Sequence, residues 1–182
     1  MRNMIFGVLA AAGLTLGILG CSTEPKTDAK KEALSANVTA AIAEMKVVDP
    51  GVEDFMKKSH GYAVFPTIGK GGLIVGGAYG RGEVYEQGST IGFADMTQGS
   101  VGLQAGGQSY KEIVCFENAD ALTRFKSGKL KFSADASAVA LKSGAAATAK
   151  FQDGVAIFTH PNGGLMFEAS VGGQSFSYIP KE

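Results

Sequence analysis

From Glu32 the apolar positions recur with a helical period. Leu34, Val38, Ala41, Ile42 and Met45 share one face, while Lys31, Ser35, Asn37, Thr39, Glu44 and Lys46 occupy the other, which predicts an amphipathic helix. Asp49-Pro50 supplies an N-cap followed by proline at a first helical position, so a short second helix is expected with Val52, Phe55 and Met56 inward and Gly61 at its end. Beyond Tyr62 the period falls to two. Tyr62–Phe65, Leu73–Tyr85, Ser89–Asp95, Val101–Phe116, Val155–Thr159 and Leu165–Tyr178 read as strands. Turns are expected at Gln87-Gly88, Gln98-Gly99, Asp153-Gly154 and Pro161-Asn162-Gly163. Asn118 opens a short helix with Ala121, Leu122 and Phe125 toward a core and Gly128 past its end. The Ala- and Ser-rich stretch 131–149 is ambiguous, and a strand is expected over Phe132–Leu141.

In the strand from Leu73, Gly76, Ala78, Gly80 and Gly82 fall on one face and Leu73, Val75, Tyr79 and Tyr85 on the other. A nearly bare face weakens a strand unless another layer approaches closely or the sheet coils strongly. Gly106-Gly107-Gln108-Ser109-Tyr110 returns as Gly172-Gly173-Gln174-Ser175-Phe176, so the two segments are expected at equivalent places in one sheet.

The N-terminus carries an address. Arg2 precedes an uncharged apolar run from Ile5 to Leu19, and Ile18-Leu19-Gly20-Cys21 closes it like a lipobox, the layout of a bacterial lipoprotein signal. Cleavage would leave Cys21 as the first residue, bearing acyl chains of the palmitate type. At ~0.8 kcal/mol per buried CH₂, two or three such chains anchor a protein firmly. By resemblance to lipoproteins of double-membraned bacteria, Ser22 after the cysteine, in place of Asp, implies the outer membrane and its periplasmic face. Residues 1–20 then form the signal, 21–30 a polar tether, and 31–182 one domain. The mature chain has 16 Lys and Arg against 17 Asp and Glu, so bulk charge recruits neither nucleic acid nor anionic lipid. With Cys21 acylated, Cys115 has no disulfide partner and reads as a small buried side chain. Glycine stands at 26 of 182 residues, roughly twice average usage, an excess that falls in the strand pattern.

Taken in order, Gly61-Tyr-Ala-Val-Phe-Pro66, Gly69-Lys-Gly-Gly-Leu-Ile-Val-Gly-Gly-Ala-Tyr-Gly-Arg-Gly82, Val101-Gly-Leu-Gln-Ala-Gly-Gly-Gln-Ser-Tyr110, Ala134-Asp-Ala-Ser-Ala138 and Gly163-Gly-Leu-Met-Phe-Glu-Ala-Ser-Val-Gly-Gly173 resemble a SYLF domain. The resemblance runs from about Ala33 to Tyr178. It implies phospholipid binding, through phosphoinositides in eukaryotic members that also touch actin, and a bacterial branch of secreted lipoproteins. No SH3 or FYVE module is attached here, so anionic phospholipid is the ligand implied and the actin role is not carried over.

Lys57, Lys58 and His60 close the second predicted helix, and Lys70 and Arg81 flank the glycine strand. These cations could converge on a lipid phosphate, with Tyr62 or Tyr79 at the interface. The helix from Glu32 could instead lie in a membrane surface, but Lys31 and Lys46 are balanced by Glu32 and Glu44, so packing on the sheet is expected. His60 and His160 have no ligands at metal spacing, no G-x-S-x-G elbow is present, and the glycine segments lack a phosphate-loop ending. Neither catalysis nor a cofactor is expected. The fold class expected is α+β: two N-terminal helices and a short helix near 118–127 on a Gly-rich, mainly antiparallel sheet, barrel-like or a sandwich. The function expected is binding of a phospholipid membrane. Alternatives are a structural module that meets an envelope protein, or a carrier with an acyl chain in its core.

Overall fold

The computed structural model describes residues 27–72, 75–101, 107–130, 132, 138–163 and 173–181. The signal segment and Cys21 lie outside the described residues, as do 133–137 and 164–172. The fold is α+β: among the described residues, a seven-stranded sheet of order β5-β6-β4-β1-β2-β3-β7 with four helices. The strands are β1 Gly61–Gly72, β2 Val75–Glu86, β3 Ser89–Val101, β4 Gly107–Phe116, β5 Val139–Ala140, β6 Val155–Pro161 and β7 Gln174–Pro180. Every pairing is antiparallel except that of β5 with β6.

Helix α1 runs Asp28–Val48, four residues earlier than the periodicity predicts. Thr27 caps it by accepting from the Lys30 amide, and Asp28 favours the positive end of the helix dipole. Its apolar stripe lies on the sheet, with Val38, Ala41 and Met45 buried. Helix α2 (Gly51–Lys58) buries Val52, Phe55 and Met56 as expected. Gly61, however, does not end it. Ser59 is the C-cap and Gly61 opens β1, where an added Cβ would lie 2.6 Å from the Tyr85 carbonyl oxygen. Helix α3 (Ala119–Lys126) starts at Asn118, whose side chain accepts from the Ala121 amide, and Gly128 follows it at φ +67°. Helix α4 (Ala145–Thr148) was not legible in the sequence. Asp49 ties it to α2 by accepting from the amides of Ala146 at 2.7 Å and Gly51 at 3.0 Å. Within 131–149 only Val139–Ala140 is extended among the described residues.

Gln87 and Gly88 both have positive φ, as a tight hairpin between β2 and β3 requires. Gln98-Gly99 is not a turn. Both residues lie inside β3, opposite Ala78 and Gly77, where small neighbours let the ladder continue. In β1 the register shifts between Val64 and Ile68, around Pro66, which has no N–H to donate.

Two buried clusters sit on opposite faces of the sheet. On the outer face α1, α2 and α4 cover Val64, Ile113, Cys115, Ala156 and Phe158. Burial there pushes the Cys115 thiol up to about 12 and keeps it protonated. On the inner face Ala63, Phe65, Ile68, Ala78, Met96, Val114, Phe116 and Ile157 meet α3 and β7. Although β1 and β7 are separated by two strands, Phe65 and Phe176 approach to 5.9 Å between ring centres, and Phe125 lies 5.0 Å from Phe176. The sheet is therefore curled, its inner face nearly closed on itself. Glycine permits the curl. A Cβ on Gly82 would lie 2.2 Å from the Val64 carbonyl oxygen and 2.9 Å from the Phe65 ring; one on Gly92 would lie 2.3 Å from the Ile179 carbonyl oxygen.

One carboxyl is enclosed on that inner face. Glu112 is fully buried and accepts from Gln174 Nε2 at 3.0 Å. Burial raises its pKa to about 7, against the opposing effect of the Gln174 hydrogen bond.

Gly82→Ala should cost about 2 kcal/mol or more through forced backbone displacement, whereas Gly69→Ala, with nothing within 4 Å of the added carbon, should leave thermal stability nearly unchanged. Comparing the two melting temperatures checks this. A carboxyl whose folded pKa lies above its unfolded value of about 4.5 is not penalised below that pH, and the folded state loses stability as pH rises toward about 7. Denaturant titrations should therefore show Glu112→Gln gaining about 3 kcal/mol on the wild type between pH ~4.5 and ~8. A constant difference would refute it.

Candidate functional site

The strand Tyr110-Lys-Glu-Ile-Val-Cys-Phe116 sends alternate side chains to opposite faces, so Lys111 and Glu112, adjacent in sequence, are separated by the sheet. Lys111 emerges on the outer face beside α1. Its side chain is almost buried, at 10% exposure, and its ammonium pairs with Glu44 of α1 at 2.8 Å. It also donates to Asn162 Oδ1, and Asn162 Nδ2 donates to Ser109 Oγ at 2.9 Å. His160 of β6 stands opposite Lys111 in register. Burial and the Lys111 charge lower the His160 pKa, with Glu44 opposing, so the ring is uncharged at neutral pH. Its Nδ1 is buried with no hydrogen-bond partner among the described residues.

These groups line an open cleft of about 570 Å³ between α1, the β1 bulge at Pro66-Thr67 and the β4–β6 edge. The glutamate is the exposed partner. Glu44 is 60% exposed, whereas Lys111 is held from below. An incoming phosphate or carboxylate can take the place of Glu44 on a lysine already desolvated, which strengthens the pairing.

The five groups expected to converge are spread over the molecule, His60 being paired with Glu86 at 2.9 Å. Lys57 is exposed and pairs with Glu53 at 3.1 Å, a glutamate that also holds Lys46 at 2.9 Å. Lys58 lies over the Phe55 ring at 3.9 Å, a cation–π contact. Both precede β1. Lys70 is near the other end of that strand, about 30 Å away at ~3.3 Å per residue. Its register partners Ala78 and Gln108 place it with the inner-facing set. Arg81 is on the outer face, bonded through Nε to Asp95 at 2.8 Å and through Nη2 to the Tyr79 hydroxyl at 3.1 Å. These five do not form one group. Tyr79, nearly half exposed, donates to the same Asp95 at 3.0 Å, while Tyr62 stacks on Tyr85 at 4.8 Å.

Sequence reasoning missed Lys111 and weighed His160 only as a metal ligand. The available signal was a pair of adjacent charges inside an apolar strand, which must place one charge on each buried face.

Among the described residues no helix is long and apolar enough to cross a membrane. Residues 97–179 match the family model described as Ysc84, Las17-binding protein actin regulator. Over 162 residues the chain is 28% identical to Beta cell expansion factor A of Aeromonas veronii, covering 87% of this chain and 60% of that relative's length. Both matches support the resemblance to the SYLF-domain family that the order of glycine motifs carries, the family model from β3 onward and the relative over most of the chain.

Proposed function

We propose that this chain is a membrane-anchored envelope lipoprotein that binds anionic phospholipid headgroups without catalysis. Acylated Cys21 would hold it at the periplasmic face of the outer membrane. Support comes from its family resemblance, from the lipobox-like N-terminus, and above all from the outer cleft. There, Lys111 is desolvated and backed by Asn162 and His160, and its counter-charge is an exposed surface glutamate. That observation carries the reading, because a lysine paired this way exchanges one oxyanion for another at little reorganisation cost. The acyl tether would confine the domain near the bilayer, so a weak headgroup contact becomes effective through local concentration. Lys57 and Lys58, exposed at the end of α2, add attraction to an anionic surface, and Lys57 lines a second cleft with Lys46, Glu53 and Tyr62. No residue described in the cleft forms a nucleophile–base pair, and binding without turnover is the chemistry proposed.

Co-sedimentation of residues 27–182, free of acyl chains, tests the reading. The domain should pellet with vesicles containing phosphatidylglycerol and not with phosphatidylcholine alone. Lys111→Met should weaken that binding by about tenfold, the loss of one charge-assisted contact, and Glu44→Gln should strengthen it by releasing the lysine. Equal failure on both vesicles, or indifference to both substitutions, overturns the proposal.

A further inference from the structure

The inner face holds a polar cluster that the outer cleft does not use. Glu112 of β4 is fully buried, Gln174 of β7 is 1% exposed and Thr159 of β6 is 1% exposed. Thr159 is the register partner of Glu112 on the neighbouring strand. Gln174 reaches Glu112 from a strand four places away in the sheet order, across the enclosed interior. Each of these side chains leaves an oxygen, Glu112 Oε1, Gln174 Oε1 and Thr159 Oγ1, with no hydrogen-bond partner among the described residues. Buried polar atoms are nearly always partnered, and a buried carboxylate without a cation is costly.

The surroundings specify what would satisfy them. Phe65 is the other register partner of Glu112, and Phe176 lies two residues beyond Gln174 on the same face, with the two rings 5.9 Å apart. A carboxylate, two aromatic rings and unfilled acceptors are complementary to a cation that carries hydrogen-bond donors. We propose that the interior of the curled sheet is a binding site for a primary ammonium group, whose N–H donors engage Glu112 Oε1, Gln174 Oε1 and Thr159 Oγ1. A quaternary ammonium has no N–H and leaves these oxygens unsatisfied, and a simple anion is repelled by the carboxylate. The ligand class is therefore a small primary amine.

Other charged or titratable groups facing the cluster are few among the described residues. Tyr110 is two residues from Glu112 on its own strand; burial and the Glu112 charge raise the pKa of its phenol against a hydrogen bond with the Gln174 side chain, so it stays neutral. Lys70 of β1 lies on the inner-facing set nearer the strand end, opposite Gln108. Neither competes for the carboxylate, which is half ionised near pH 7 when the site is empty. Amine binding should accordingly strengthen as pH rises through that value.

Isothermal titration of the full chain with ethanolamine at pH ~8, joined to ¹⁵N shifts of the Gln174 side-chain amide, tests the site. Saturable binding with a shifted Gln174 resonance is expected, weakened about tenfold at pH ~6 and by at least as much in Glu112→Gln. Tetramethylammonium and acetate should leave the resonance in place. Thr159→Val, nearly the same shape with one acceptor removed, should weaken ethanolamine binding several-fold and serves if Glu112→Gln does not fold. No saturable binding by the wild type, or equal affinity in the folded variants, overturns the proposal.

Discussion

The closeness of backbone to side chain inside the curled sheet is the constraint on which the rest depends. Gly82 has no room for a Cβ against Val64 and Phe65, nor has Gly92 against Ile179 and Tyr178. Because those positions are bare, β1, β2, β3 and β7 bend enough for Phe176 to meet Phe65 and Phe125. The aromatic contacts repay what glycine loses in strand entropy: each buried phenylalanine is worth about 1.5–3 kcal/mol. The same bend brings Gln174 to Glu112. Without it, the inner carboxyl would face solvent and have an ordinary acidity.

Two regions of opposite character follow from one strand. Lys111 and Glu112 are neighbours in the chain, yet strand alternation puts the cation under α1 and the carboxyl in the interior. The outer region is an open cleft in which a nearly buried lysine is paired with an exposed glutamate. The inner region is buried and aromatic, with Glu112, Gln174 and Thr159 each leaving an oxygen unpaired among the described residues. Their independence is a matter of position: the backbone of β4 lies between them, and no hydrogen bond described links the two.

Helix packing completes the arrangement. α1 crosses the outer face from Lys31, whose ammonium lies 5.9 Å from the Phe93 ring, past Ser35, which donates to the buried Glu83 at 2.7 Å, to Glu44 above Lys111. A helix so pinned along its length cannot also lay its apolar stripe in a bilayer, since Val38, Ala41 and Met45 are spent on the sheet. The membrane contact proposed for this chain is therefore made by headgroup chemistry and acyl chains, with α1 as one wall of the cleft.

Much of this was legible in the sequence, because local physics writes local patterns. The stripe Val38, Ala41, Met45, the inward set of α2, the Asn118 cap, the Gln87-Gly88 hairpin and the order of glycine motifs that marks the family all depend on neighbours within a few residues. Gln98-Gly99 misled for the same reason: a glycine that looks like a turn is, in the sheet, a rung opposite Gly77. The placement of charges was beyond local pattern. Whether Lys57, Lys58, Lys70 and Arg81 meet, or Glu112 finds Gln174 62 residues away, depends on how strands distant in sequence register and curl. The chain alone determined its α+β class, its family resemblance and the residues able to form each element. Only the tertiary structure decided which charges are exposed, paired or enclosed, because burial and partnership are properties of the folded surface and of no single segment.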